Sequence, residues 1–468
     1  ILSEEIYLRR MVKMENRIHL SLLVFLLTSF LYFVSLSTYP LMEPDEARNM
    51  EIAREIVMEG RAFPPTVHGR VRYEKPPLYY YILSVFYKVF GHNEYAGRVL
   101  SAMSSVLIGI GILILAKYIL GTENEFIPSV IFLTNIPILI YGRIASMEPF
   151  LTFLTFYSIL LFLLYEKYKK FIYLVLSFIF VSLSFCVKGP IGLFYYLVFI
   201  LSYKFVFGFK FDKKFLLFPV IFFIIVFPLF YIQEMNYSGY IYNFFVKENI
   251  IRYTSDVFRR NKTFCYFIVF VPLSFGVWLL FVKDIVMSYI SFKMNNKDFL
   301  YVFLIFILVP IIVFSFSKSK MLHYVFPVFP FVSSIMAYDF DLNRFMKFLL
   351  PYLLFLYFIF IIVFPIYFKY QYNMKDKLLL IVKNVDSNVV YYGNEFYSIS
   401  FYLNKTPYVS GNLNDLVNVM KDFKHGTIFI DIDDEKEVFS ALKFCNLKKV
   451  LTFRIRGHTV VMINADCL

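Results

Sequence analysis

The sequence predicts a polytopic α-helical membrane protein with a small α/β domain at its C-terminal end. Three observations lead there. Of 468 residues, 59% are hydrophobic, with 60 Phe and 38 Tyr, and the mean hydropathy is +0.65; a soluble chain is far less apolar. Long runs of Phe, Leu, Ile and Val recur from residue 19 to about residue 369. Beyond residue 376 the composition turns ordinary and strand-like and helix-like periods alternate. The chain therefore divides into a cytoplasmic N-terminus (1–18), a membrane domain (19–369) whose first outer loop is 41–96, and a soluble extracytoplasmic α/β domain (376–468).

Taken in order, Arg9, Arg10, Lys13 and Arg17 make the start basic, and the apolar run 19–39 follows with no small-residue cleavage site. It reads as a retained first helix, not a cleaved signal. Further runs of spanning length lie at 97–117, 125–141, 149–165, 171–187, 190–207, 215–232, 264–283, 299–316, 322–338 and 348–369, which predicts about 11–13 membrane helices. The Tyr-rich run 78–90 is short. The basic loops 166–170, 204–214 and 283–297 belong in the cytoplasm with the N-terminus. They share that side only if 78–90 does not span, so that run is expected to be interfacial or re-entrant. The loops 41–96, 142–148, 233–263 and 315–321 and the tail then lie outside. Arg48, Lys75, Arg143, Lys188, Lys318 and Lys320 become cations on the side that disfavours them, which an anion bound there would explain.

The tail predicts a strand at 389–392, helices near 394–403, 413–423 and 434–445, a strand at 426–432 and a hairpin turning at Arg456–Gly457. Cys445 and Cys467 could pair if the tail is exported. Asp431, Asp433 and Asp434 read as a solvated strand end. The net charge of +13 reflects membrane topology and does not call for nucleic acid.

The chemistry concentrates in a few short segments. Pro44 suits a first helical turn with Asp45 and Glu46 in it, and Gly60 a stop. Ala47, Met50, Ala53, Ile56 and Val57 form an apolar stripe, which predicts a helix lying on the membrane surface. Asp45 and Arg48 share a face. In Arg72-Tyr73-Glu74-Lys75-Pro76-Pro77 the double proline holds Glu74 and Lys75 extended. Glu148 sits at the membrane edge, where a carboxylate is costly unless solvated or paired. The remaining pieces are Lys247–Tyr253, which includes Arg252, and Ser317–Tyr324, which includes Lys318, Lys320, His323 and Tyr324.

In this order the pieces resemble the bacterial 4-amino-4-deoxy-L-arabinose transferases of lipid A and, more widely, the GT-C-type, protein O-mannosyltransferase-like glycosyltransferases. The resemblance implies a GT-C fold and inverting transfer from a polyprenyl-phosphate sugar on the outer face of the plasma (inner) membrane. It implies catalytic roles for Asp45 and Glu148, and donor-phosphate binding by Arg48, Lys75, Arg252, Lys318, Lys320 and Tyr324. A divalent metal (Zn or Mg) could sit near Glu74. Asn249 stands where the family carries a histidine, and His323, an additional imidazole, could serve as a ligand in its place. The implied partners are the polyprenyl-phosphate-linked donor, a glycolipid or protein acceptor and membrane lipids, without nucleic acid, for a monomeric protein. Transfer to protein Ser/Thr is one alternative. A lipid or sugar transporter is another, but transporters gather polar groups near the midplane, whereas these cluster at one edge.

Overall fold

The structure is a computed structural model that describes residues 19–122, 124–251, 262–371, 375–377, 385, 388–455 and 457–467. The expected cytoplasmic segment 1–18, Arg252 and Arg456 lie outside the described residues. The membrane domain runs α1 (His19–Phe30), α2 (Asp45–Met58), β1 (Thr66–Val67), β2 (Arg70–Val71), α3 (Leu78–Phe90), α4 (Glu94–Leu120), α5 (Phe126–Leu133), α6 (Ile136–Tyr141), α7 (Met147–Tyr168), α8 (Phe171–Lys188), α9 (Pro190–Phe207), α10 (Lys213–Asn236), α11 (Tyr266–Leu273), α12 (Gly276–Asn295), α13 (Lys297–Ser315), α14 (Leu322–Met336) and α15 (Leu342–Lys369).

Seven helices (α4, α7, α8, α9, α10, α13 and α15) are long and apolar enough to cross a membrane, and the pair α11–α12, bent by 83°, would make an eighth. Seven of the eleven expected apolar runs are thus single uninterrupted helices among the described residues. The other four apolar runs are helical but short or broken, for local reasons. The run 125–141 breaks at Thr134–Asn135, where Asn135 caps α6, Pro137 occupies its first turn and the Thr134 hydroxyl turns back to the Val130 carbonyl at 2.7 Å. Pro272 inside α11 and Gly276 at φ +53° mark the α11–α12 bend. The single Trp, Trp278, is fully buried at this bend and stacks on Phe345 at 5.2 Å.

In the first loop, α2 begins after Pro44 with Asp45 and Glu46 in its first turn and ends at Glu59, before Gly60 at φ +69°. Its apolar stripe does not lie free on a membrane surface. Ala47, Met50 and Ala53 are fully buried, and so are Glu51 and Glu55 on other faces. The helix is instead enclosed by α3 and the tail domain, so its polar face is satisfied by protein. Arg54 donates to both oxygens of Glu51 (2.9 and 2.7 Å) and to Thr406 (2.6 Å). Helix α3, at 13 residues, reaches only about 20 Å, too short to span, in keeping with the reading of 78–90.

The tail holds β3 (Val389–Tyr392), α16 (Tyr397–Leu403), β4 (Tyr408–Ser410), α17 (Leu413–Phe423), β5 (His425–Asp431), α18 (Glu435–Ala441), β6 (Cys445–Ile455) and β7 (His458–Cys467). The sheet order is β4-β3-β5-β7-β6, with β3 parallel to β4 and β5 and the other pairs antiparallel. Each predicted element is present; β4, three residues long, is the addition. Asp431 pairs with His458 at 2.6 Å, and among the described residues no three His, Cys, Asp or Glu gather around a metal position.

Cys445 and Cys467 are register partners at the ends of β6 and β7 and form a disulfide across 22 residues. A closed loop of that length restricts the unfolded tail by about 3 kcal/mol. The double variant C445S/C467S is therefore expected to unfold at lower urea by that amount. The reduced wild-type chain should match it; an unchanged midpoint in both would contradict the contribution.

Candidate active site

Backbone placement comes first. Glu46, buried, accepts two bonds from Arg98 of α4 (2.7 and 2.9 Å) and one from the Ala145 amide (2.9 Å), while Asn49 donates to the Ala145 carbonyl (2.9 Å). The first turn of α2 is thereby stapled to the 142–147 loop. The Ser101 hydroxyl donates to the Ser146 carbonyl (2.9 Å), and Ser146 caps α7, which puts Glu148 in its first turn. Helix α8 ends on Lys188. Gly189 follows at φ +72°, where an added Cβ would lie 2.6 Å from the Phe244 ring, so the α8–α9 turn needs glycine.

These segments enclose a cavity of about 380 Å3 walled by Asp45, Arg48, Arg72, Glu74, Lys75, Tyr141, Glu148, Lys188, Glu248, Asn249, His323 and Tyr324. Asp45 is the exposed acid at its rim, with 62% of its side chain accessible, ion-paired to Arg48 one turn on. The Arg48 guanidinium lies 5.8 Å from the Tyr397 ring. Arg72 pairs with Glu74 at 2.5 Å, and the Lys75 carbonyl accepts from Tyr240 at 3.1 Å.

On the bundle side Glu148 is buried and tied by both oxygens to Lys188 (2.7 and 2.6 Å). His323 Nε2 lies 3.2 Å from the same carboxylate, and its Nδ1 lies 3.2 Å from the Tyr141 hydroxyl. The Lys188 ammonium sits 5.6 Å from the Tyr324 ring, whose backbone carbonyl accepts from Tyr195 at 2.6 Å. Glu148 thus holds an ammonium at the cavity wall, which offsets the cost of burying both charges.

Asp45, Arg48, Glu74, Lys75, Glu148, His323 and Tyr324 therefore come together as the sequence suggested. Lys318 and Lys320 do not line the wall. Ser317 and Ser319 are wall residues in this loop, while Lys318 is exposed and Lys320 is buried but not part of the wall. Arg143 turns aside: it is buried, donates to the Leu31 and Val34 carbonyls (the latter at 2.6 Å) and lies 4.4 Å from the Phe360 ring. Sequence reasoning did not single out Arg72 or Tyr141, and it had Lys188 only as an outer cation. The cue for Lys188 was its place at a helix end before Gly-Pro.

For a metal, Glu74 is engaged by Arg72, and His323 lies between Glu148 and Tyr141. No trio of His, Cys, Asp or Glu converges among the described residues. The side chains near Glu74 do not fit a resident divalent ion, and no step is routed through one.

The protein family described as dolichyl-phosphate-mannose-protein mannosyltransferase matches residues 74–232. The structure is similar to that of ArnT from Cupriavidus metallidurans, with a TM-score of 0.79 over 96% of this chain and 98% of that one at 16% identity. The chain therefore carries the fold of ArnT, and its residues 74–232 match the mannosyltransferase family model. ArnT of the same organism bound to undecaprenyl phosphate gives a TM-score of 0.77, covering 94% of this chain and 97% of that one at 16% identity. An uncharacterized protein of Aquifex aeolicus is 26% identical over 81% of this chain and 86% of its own length. An undecaprenyl phosphate-alpha-4-amino-4-deoxy-L-arabinose arabinosyl transferase of Proteus mirabilis is 29% identical over 68% of this chain and 58% of its own. The chain thus spans under two thirds of the length of that relative.

Proposed function

We propose that the protein is an inverting glycosyltransferase that moves a sugar from a polyprenyl-phosphate donor to a lipid A-like glycolipid on the outer face of the plasma (inner) membrane. The observation that carries this reading is one cavity holding an exposed carboxylate, Asp45, together with Arg48, Arg72, Lys75 and Lys188. The names of the relatives and the undecaprenyl phosphate in the related ArnT structure support the donor.

In such a transfer the acceptor oxygen bonds to the anomeric carbon as the bond from that carbon to the donor phosphate breaks. Negative charge grows on the departing polyprenyl phosphate, and fixed cations stabilise it more than they stabilise the starting ester. Lys75 and Lys188 are placed for that. A hydroxyl acceptor passes its proton to Asp45; an acceptor that is already ionised needs only orientation.

Orientation is supported by geometry as well. The basic segments 166–170 and 204–214 join α7 to α8 and α9 to α10 at ends that lie away from the cavity; the basic stretch 283–297, expected as a loop, is instead the helical end of α12 leading through Asn296 into α13, while α7, α8, α9 and α13 meet the cavity at their other ends. The positive-inside rule then puts the cavity outside, with the N-terminus cytoplasmic and the disulfide-bearing tail in an oxidising compartment.

The test is transfer of radiolabelled sugar by the purified full chain from polyprenyl-phosphate sugars to lipid A-type acceptors and, in a parallel arm, to Ser/Thr peptides. Label in the lipid supports the reading, and label only in peptide replaces the acceptor with the mannosyltransferase-like one. No transfer to either, with donor lipid translocated in liposomes, overturns it. Lys75→Ala is expected to raise the donor KM about 10- to 100-fold, the worth of one charge-assisted hydrogen bond. An unchanged KM would remove Lys75 from donor binding.

A further inference from the structure

The tail domain reaches the candidate catalytic loop through one helix. Ser398, at the start of α16, donates to Glu43 Oε1 from its amide (2.6 Å) and its hydroxyl (2.5 Å). Tyr402, one turn on, accepts from the Leu41 amide at 3.0 Å and donates to Glu94 at 2.7 Å. Tyr397 lies 5.8 Å from the guanidinium of Arg48, the ion-pair partner of Asp45. Leu41 and Glu43 lie just before Pro44-Asp45 and Arg48 just after, so three anchors from α16 bracket the acid. On its other side the loop is held by Glu46 through Arg98 and Ala145. Asp45 itself stays exposed at 62% of its side chain, and burial does not fix it. Its position follows from what holds its neighbours.

The interface has a second region that serves as an internal control. Thr406, after α16, meets Arg54 at 2.6 Å and Glu59 near the C-terminal end of α2. These contacts join the same two domains, yet Arg54 lies nine residues beyond Asp45, about 14 Å along the helix.

We propose that Tyr397, Ser398 and Tyr402 are positioning residues for Asp45, so that the tail domain completes the active site and does not merely cap the membrane domain. The proposal rests on the role of Asp45 given above. Reactions that depend on near-attack geometry lose about 100-fold for an ångström of misplacement. Loosening residues 41–45 should therefore be read in turnover and not in donor binding, which the cations of the cavity carry.

The experiment uses the full chain. Ser398→Ala is expected to lower kcat about 10- to 100-fold while donor KM changes less than about twofold, and amide exchange should rise within residues 41–48. Ser398→Thr, which keeps hydroxyl and amide, should restore kcat. Thr406→Ala, which removes a docking contact of the same domains, should leave kcat within about twofold. If Ser398→Ala does not fold, Tyr402→Phe carries the test, because it removes only the hydroxyl. Normal kcat in the folded variant overturns the proposal, and so does an equal loss in Thr406→Ala. An Asp45→Asn variant run beside them separates the two failures. If it stays active, the role of Asp45 is lost; if it is dead while Ser398→Ala is normal, only the positioning role is lost.

Discussion

Asp45→Asn is expected to lower turnover about 100- to 10,000-fold, the range carried by a general base, with little change in donor KM or thermal stability. The substitution keeps the shape of the side chain and removes its charge and its ability to take a proton. The stability side is small because the Asp45–Arg48 pair is largely exposed on the acid's side, and such pairs contribute about 0–1 kcal/mol. The donor side is small because Lys75 and Lys188 remain. The measurement is kcat and KM for sugar transfer, with thermal unfolding in detergent as the folding control. Turnover within a few-fold of wild type would end the assignment of Asp45 as base, and a collapse of stability would move it to a structural role.

Arg98→Met should have the largest effect on stability. Arg98 is fully buried and donates to Glu46 twice and to the carbonyls of Leu36 (2.5 Å), Tyr39 (2.9 Å) and Pro40 (2.9 Å), with its guanidinium 3.8 Å from the Tyr39 ring. Removing it leaves a buried carboxylate without its cation, held only by the Met42 and Ala145 amides, and takes this donor from three carbonyl oxygens. Breaking a buried pair from one side costs about 3–5 kcal/mol, and here the loss falls on the loop that carries Asp45. The double variant E46Q/R98M removes both charges and should recover at least about 1 kcal/mol of that loss, a coupling of the size seen between contacting residues. Denaturant titration in detergent reads both. An Arg98→Met protein within about 1 kcal/mol of wild type would show that the network is not what ties α2 to α4.

Much of this was legible in the residues because the signals are local. Pro44 and Gly60 mark the ends of α2, alternation and Gly457 mark the β6–β7 hairpin, and the Arg72–Pro77 and Met147–Pro149 segments name their own chemistry. What was not legible depends on pairings distant in the chain. Nothing near Glu148 announces Lys188, forty residues on, or His323. The stripe on α2 looked like a membrane-facing surface because its polar residues seemed solvated; Glu51 and Arg54 are in fact buried against each other and the tail. Lys318 and Lys320 were read as site cations from type and order alone, whereas the cavity wall there is made by Ser317 and Ser319. Apolar runs were legible but their breaks were not: Asn135 and Gly276 interrupt runs that hydropathy reads as continuous.

The bond between Ser398 and Glu43 joins residues 355 positions apart. At about 5–20 residues per second, roughly 20–70 s of synthesis separate the two partners. Through that interval the membrane helices can insert and pack while the loop bearing Asp45 lacks its last anchors. A nascent chain is therefore expected to hold sugar-lipid binding groups before it can turn them over. With the positioning role proposed for α16, competence is expected only once that helix has been made, folded and docked.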